Sequence, residues 1–260
     1  MYLLIALISL FAAGIGAICG FGGGVIIQPL LSTFDIFDVA QVSFLSSVTV
    51  LSMTTYSVVR SRVRGGSRVD GKIGLAVAAG ASIGGLLGRQ LFVYAIARKA
   101  TENYVGAIQA IILLILTVGT VIYTLNMKRI KSYQVTNIAA SIITGIVLGA
   151  ISAFLGIGGG PINLIVLFFI FSMNTKTAVE TSLYIIFFSQ VTNISTIVIT
   201  NDVPDFTWGV LIIMMACGIL GGIVGRKVNE KISTRNVERL FIAVMICLSL
   251  VNAYNVVQFL

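Results

Sequence analysis

The chain has 260 residues, 57% of them apolar and only 10% charged, with a formal net charge of +8. A soluble domain carries about 25% charged residues, so the composition excludes a soluble enzyme, a nucleic-acid-binding domain and a disordered tail. It predicts an all-α, polytopic integral membrane protein.

The elements follow in chain order. Residues 2–34 are uncharged but contain Gly20-Phe-Gly-Gly-Gly24. Glycine-rich backbone makes poor helix, so this run reads as a hairpin over 2–34, with an arm to residue 19, a break and a short return from Val25 to Phe34. The first arm is long enough to cross the bilayer if tilted. The return, at about 1.5 Å per residue, reaches about half-way through the hydrocarbon. Spans are then expected at 39–59, 73–97 and 104–127. The next uncharged run, 132–175, is too long for one helix. It breaks at Gly156-Ile-Gly-Gly-Gly160, and Pro161 suits the first position of a new helix because its missing N–H costs nothing there. A second hairpin over 136–172 is followed by spans at 178–199, 206–225 and 238–258. Trp208 reads as an interfacial anchor.

The chain repeats itself. GFGGG at 20–24 matches GIGGG at 156–160, GGLLGR at 84–89 matches GGIVGR at 221–226, and Ala40–Leu45 resembles Ala178–Leu183. The three blocks keep their order and nearly one offset. The expected organisation is two homologous repeats, 1–127 and 128–260, each a re-entrant hairpin plus three spans. An odd number of crossings inverts the second repeat relative to the first. With both termini placed outside the cell, fourteen of the seventeen Lys and Arg fall in segments on the cytoplasmic side. These are Arg60, Arg62, Arg64, Arg68, Lys72, Lys128, Arg129, Lys131, Lys176, Arg226, Lys227, Lys231, Arg235 and Arg239. Arg89, Arg98 and Lys99 fall on the other side. Short cytoplasmic loops are enriched in Lys and Arg, so the basicity reports orientation, with anionic lipid as a secondary partner.

Inverted repeats with broken helices are a design of secondary transporters. Both short helices start at a glycine block, so their N-termini face the membrane centre from opposite sides. A helix N-terminus carries about half a positive charge and several unpaired N–H groups. Gly22, Gly23 and Gly24 and their counterparts Gly158, Gly159 and Gly160 allow an anion to approach that backbone. Gln28 and Asn163 lie about one turn into the new helices, and Ser46 and Ser182 lie on the helices that follow. These uncharged donors suit a multi-oxygen anion. The neighbours Ser43, Ser47 and Thr49 share the first of these helices, and Thr181, Gln190 and Asn193 the second. Arg89 and Arg226 close the repeated GG-x-x-G-R and are candidates for direct anion binding, at the site or in a vestibule. Glu180 is the candidate for carrying a coupling ion. The chain has no His, which removes His metal ligands, bases and proton relays. Cys19, Cys217 and Cys247 lie far apart in apolar runs and read as buried thiols. Neither a metal nor a cofactor is called for, and no nucleophile–base pair or phosphate loop points to an enzyme.

The paired GFGGG and GIGGG blocks, the second running into Pro161, resemble the sulfite exporter TauE/SafE family. So do Thr181-Ser182-Leu183 and the repeated GG-x-x-G-R. The resemblance covers the whole chain. The first half departs at Phe44, which stands where the second half has Ser182. The resemblance implies a multi-pass inner-membrane permease with duplicated halves, moving a small sulfur-containing anion such as sulfite, thiosulfate or an organosulfonate. Export is favoured by a potential negative inside, worth about 2.3 kcal/mol per charge per 100 mV. The expectation is an efflux permease working by alternating access, with a homodimer among its allowed assemblies. The alternatives are a proton- or sodium-coupled importer of an organic anion and a non-transporting scaffold subunit.

Overall fold

The computed structural model describes every residue except 35, 64–70, 98–101, 128, 158 and 260. The expectations for Arg64, Arg68, Arg98, Lys99, Lys128 and Gly158 therefore fall outside the described residues. All regular structure among the described residues is helix, with no strand. In chain order the helices are α1 (Tyr2–Cys19), α2 (Gly24–Thr33), α3 (Val39–Val63), α4 (Gly71–Ala97), α5 (Glu102–Asn126), α6 (Ile138–Leu155), α7 (Pro161–Phe169), α8 (Thr175–Ile199), α9 (Trp208–Lys231) and α10 (Thr234–Phe259). Eight of them are long and apolar enough to cross a membrane. The two short ones are α2, with 10 residues, and α7, with 9. Helices suit hydrocarbon because every mid-helix N–H and C=O is satisfied within the segment.

Several helices run past the apolar spans read from the sequence. α3 continues through Arg60 and Arg62 to Val63, and α9 continues to Lys231. Long cationic side chains can reach water while their backbone stays hydrogen-bonded in the helix. α7 instead stops at Phe169, short of 172. There the chain turns at Ser172, in the left-handed region at φ 52°. The segment after α5 crosses beneath α7 and occupies its last carbonyls: Tyr133 N–H donates to Phe169 O at 2.7 Å and Val135 N–H to Ile170 O at 3.1 Å.

Missing Cβ atoms determine which helices touch. α4 and α6 run parallel, and a Cβ on Gly80, Gly84 or Gly88 would overlap the carbonyls of Ile142, Ile146 and Ala150 respectively. Gly145 and Gly149 of α6 fit the α4 backbone at Val77 and Ala81 in the same way. α1 and α9 also run parallel. A Cβ on Gly221 would lie 2.7 Å from Leu10 O, and one on Gly225 would overlap Gly14 O. Small residues every fourth position let membrane helices approach backbone to backbone. Each glycine helix also grips a third partner. Gly218 and Gly222 of α9 meet Thr49 and Met53 of α3, and Gly85 of α4 meets Ser189 of α8. The molecule thus contains two tightly packed groups, α1–α3–α9 and α4–α6–α8. α5 pairs with α10, α2 leans on α10 and α7 on α5.

The outer surface is apolar, with Ile199 83% exposed and Val257 76% exposed. Hydrocarbon imposes no penalty on such side chains. The same physics corrects one expectation. Cys19 is buried, but Cys247 is exposed on α10 and Cys217 is half-buried; an apolar run in a membrane helix does not specify the inside.

Gly84→Ala is expected to destabilise the protein by about 1–3 kcal/mol, because the methyl group overpacks the α4–α6 contact. Gly119→Ala, on α5 where nothing lies within 4 Å, is expected to leave stability unchanged or slightly raised. Thermal unfolding of the two purified variants, followed by size-exclusion fluorescence, compares them directly.

Candidate functional site

The two chain breaks are buried. α1 ends at Gly20, whose φ of 84° requires glycine, and the chain reverses through Gly22 at φ 77°. It then climbs back along α1. A Cβ on Gly16 would lie 2.5 Å from Gly23 N, and one on Gly23 would lie 3.1 Å from Ala13 Cα. α2 therefore starts not at the end of α1 but about two turns back, beside the middle of that helix. α6 ends in the same fashion at Gly156, φ 67°, and the chain passes Gly159 at φ 123° before α7 begins. A Cβ on Gly159 would overlap the Ile186 side chain, at the middle of α8.

The two starts meet. A Cβ on Gly24 would overlap Ile157 O, and one on Gly160 would lie 3.1 Å from Ile157 Cδ1 and 3.9 Å from Val25 Cγ2. Only glycine allows this crossing of backbones. Neither start is capped by a side chain: the N-cap residues are Gly23 for α2 and Gly160 for α7. By contrast, Asn137 caps α6 by accepting from Ala139 N–H at 2.8 Å, and Asn174 caps α8 by accepting from Thr177 N–H at 3.0 Å. α6 and α8 thus carry side-chain caps, whereas the two buried starts, like the starts of α1 and α9, carry none, and their first turns rely on backbone bonds such as Ile26 N–H to Gly23 O and Asn163 N–H to Gly160 O, both at 3.0 Å.

Of the residues singled out from the sequence, the structure brings Gly23, Gly24, Gly159, Gly160 and Asn163 to this crossing. Asn163 is buried and its Oδ1 has no hydrogen-bond partner. Ser182 and Gln190 lie four residues either side of Ile186, one turn of α8 in each direction. Both are fully buried, and neither the Ser182 hydroxyl nor the Gln190 amide has a partner. Ser46 on α3 is in the same state. Asn193 of α8 reaches across to α3, donating through Nδ2 to Ser47 Oγ at 3.3 Å. A buried hydroxyl or amide left unmatched costs about 1–3 kcal/mol. Their concentration along α3, α7 and α8 marks a polar seam through the core.

Gln28 is placed differently. It points away from the crossing, donating through Nε2 to Gln109 Oε1 at 2.9 Å, while Gln109 donates to Phe154 O at 2.9 Å. Arg89 and Arg226 lie at opposite ends of the molecule. Arg89 reaches Asp202 O, after α8, at 3.4 Å and lies over the Phe92 ring. Arg226 lies between α3 and α8, with Nη1 donating to Ser57 O at 2.6 Å and Nη2 3.8 Å from Glu180 Oε1. Glu180 also accepts from Ser61 Oγ at 3.4 Å. Arg62 and Tyr184 complete this cluster and were not singled out from the sequence, where an Arg at the edge of a basic loop looks like any other. The spacing of Ser47, Thr54 and Ser61, seven apart on one α3 face, is the signal that was there to be read.

Eight membrane-length helices, enclosing two bare helix starts and a polar seam, define a polytopic membrane protein with a buried polar site. The family model described as sulfite exporter TauE/SafE matches residues 5–251, and the chain belongs to that family of membrane transporters. One curated relative is the probable membrane transporter protein YunE of Bacillus subtilis (strain 168), 25% identical over 267 residues and covering 94% of each chain. No solved structure matches.

Ser182→Ala is expected to stabilise the protein by about 1 kcal/mol when no substrate is present, since it deletes a buried hydroxyl with no partner. The same variant is expected to bind anions more weakly. Thermal unfolding with and without anion reads both effects, and a loss of stability in both conditions would assign the hydroxyl a purely structural role.

Proposed function

We propose that the protein is a permease for a small sulfur-containing oxyanion, such as sulfite or an organosulfonate. The observation that carries this reading is the approach of two helix starts without side-chain caps, Gly24 of α2 packing on Ile157 in the turn before α7 and Gly160 at the start of α7 lying beside Val25. Their N–H groups and positive dipole ends converge where hydrocarbon offers no other partner. Backbone donors at a helix start bind anions, and Asn163, Ser182, Gln190 and Ser46 add uncharged groups along the seam. The family supplies the sulfur chemistry, and Gly158 belongs with its neighbours in this reading.

The halves 1–127 and 128–260 are read as inverted repeats. Helix pairing supports this: α1 packs on α9 as α6 packs on α4, α3 on α9 as α8 on α4, and α2 on α10 as α7 on α5. The pairing also suggests which parts move. Each glycine-packed group draws helices from both halves, so the rocking bodies are α1–α3–α9 and α4–α6–α8 rather than the repeats themselves. The α3–α8 seam between them is the pathway. Alternating access then opens the seam first at one face and then at the other.

In this reading both termini lie outside an inner membrane, with the ends of α3 and α9 and the start of α8 at the cytoplasm; the excess of Lys and Arg in those segments supports it. Net export of an anion follows the membrane potential without a coupling ion.

Proteoliposomes containing the purified chain are expected to move at least one of sulfite, thiosulfate and sulfoacetate, faster when the potential drives the anion out of the compartment. Gly24→Val is expected to reduce the rate at least tenfold while the protein still inserts. Failure of every one of these anions, together with carboxylates of similar size, would remove the assignment. Alkaline phosphatase fused to either terminus is expected to be active, which tests the orientation.

A further inference from the structure

The seam closes at its basic end with a cluster that the two helix starts do not use. α9 contributes Arg226, α3 contributes Ser57, Ser61 and Arg62, and α8 contributes Glu180 and Tyr184. We infer that Arg226 and Arg62 form an anion subsite at this mouth, and that the Glu180 carboxylate occupies it as a tethered competitor of the substrate. The inference rests on the permease reading and adds a site and a gate to it.

Three features carry the argument. First, the arginine is anchored independently of the carboxylate. Arg226 Nη1 donates to Ser57 O at 2.6 Å and Nε to Glu230 Oε1 at 3.3 Å, both within the α1–α3–α9 group. Its remaining donors face Glu180 across the seam. Second, the tie to Glu180 is loose. The nearest N–O distance is 3.8 Å and the Ser61 bond is 3.4 Å, against about 2.7–2.9 Å for a well-made charge-assisted bond. Both side chains are nevertheless shielded, at 15% and 20% exposure, so a competing anion meets little water screening. Third, the space left in the cluster is about 10 Å³, roughly what one water molecule needs. A multi-oxygen anion fits only when the carboxylate swings out.

A carboxylate and a sulfonate or sulfite present the same pattern of oxygens to a guanidinium. Exchange of one for the other keeps Arg226 satisfied. It also releases Glu180, and with it the Ser61 and Arg226 ties between the two helix groups. Two further ties stand at this end: Arg62, whose Nη2 donates to Tyr184 OH at 2.7 Å and whose guanidinium lies over the Tyr184 ring, and Lys176 of α8, whose Nζ donates to Asn229 Oδ1 at 3.3 Å and Ile232 O at 3.0 Å at the end of α9. An arriving anion draws Arg62 away from that phenol as well. Binding at the mouth thereby loosens the Glu180 and Arg62 ties and leaves the Lys176 bonds to hold α8 against α9, so Glu180 gates entry to the subsite. Glu180 acts here as a gate, a role different from carrying a coupling ion.

The test is a titration of the purified full chain with sulfite, thiosulfate and sulfoacetate, comparing wild type with Glu180→Gln, Arg226→Gln and the double variant. Glu180→Gln is expected to tighten binding about tenfold by removing the competitor, and Arg226→Gln to weaken it about tenfold, the scale of one charge-assisted hydrogen bond. The double variant is expected to match Arg226→Gln, because the carboxylate acts through that arginine. Glu180→Ala serves where the glutamine variant folds poorly and is expected to tighten binding in the same direction. Unchanged or weaker binding in both Glu180 variants, with wild type still binding, overturns the competitor and leaves the permease reading in place. No binding of any of the three anions by wild type or by either Glu180 variant overturns both.

Discussion

Hydrocarbon offers no hydrogen bonds, and much of this structure answers that constraint. Eight helices satisfy their mid-segment backbone internally. α2 and α7 begin inside the core, where the first N–H groups of a helix have no intrahelical partner. The chain packs Gly24 of α2 on Ile157 in the turn before α7, and Gly160 beside Val25, instead of capping the two starts with side chains as it caps α6 and α8. Bare donors in such a place are costly. They are tolerable if a visiting anion completes them, which is how, in the proposed permease, a stability cost becomes a binding site.

Glycine contributes in two distinct ways. At Gly20, Gly22, Gly156 and Gly159 it supplies a left-handed backbone that reverses the chain. At Gly84, Gly88, Gly221 and Gly225 the backbone is ordinary helix and the missing Cβ is what matters, since it allows carbonyl-to-helix contact. Side-chain volume is thus removed where two groups must stay rigid, and polar side chains without partners are kept where those groups meet. A stiff body on each side of a poorly satisfied seam is a mechanical division of labour. The stability lost at Ser46, Ser182 and Gln190 is offset in the packed glycine faces.

Much of the architecture was legible in the sequence because it depends on local chemistry. Uncharged runs gave the spans, and Gly-rich blocks followed by short apolar stretches gave the breaks. The partner swap was not legible. The repeated GG-x-x-G-R looks like a motif of one repeat acting alone, yet Gly221 and Gly225 pack on α1 from the other half, and Gly84 and Gly88 on α6. Nor does sequence distinguish Arg89 from Arg226, which share a motif and lie at opposite ends with different partners. Gln28 and Asn163 hold similar places after their breaks, and each keeps a side-chain oxygen without a partner, but only Gln28 is bonded across to Gln109 of α5. Such differences arise from what packs alongside, which no local pattern encodes.

The character of the donors bears on turnover. A fixed guanidinium at the centre of the seam would hold an anion tightly in a low-dielectric site and slow its release. The central groups here are backbone dipoles, hydroxyls and amides, which stabilise an anion without a full opposing charge. The full charges stand toward the ends, Arg226 beside a carboxylate and Arg89 near the chain that follows α8. In the proposed permease an anion is thus attracted strongly at the rims and held weakly in the middle. That gradient suits a permease, because passage requires binding favourable enough to enter and loose enough to leave.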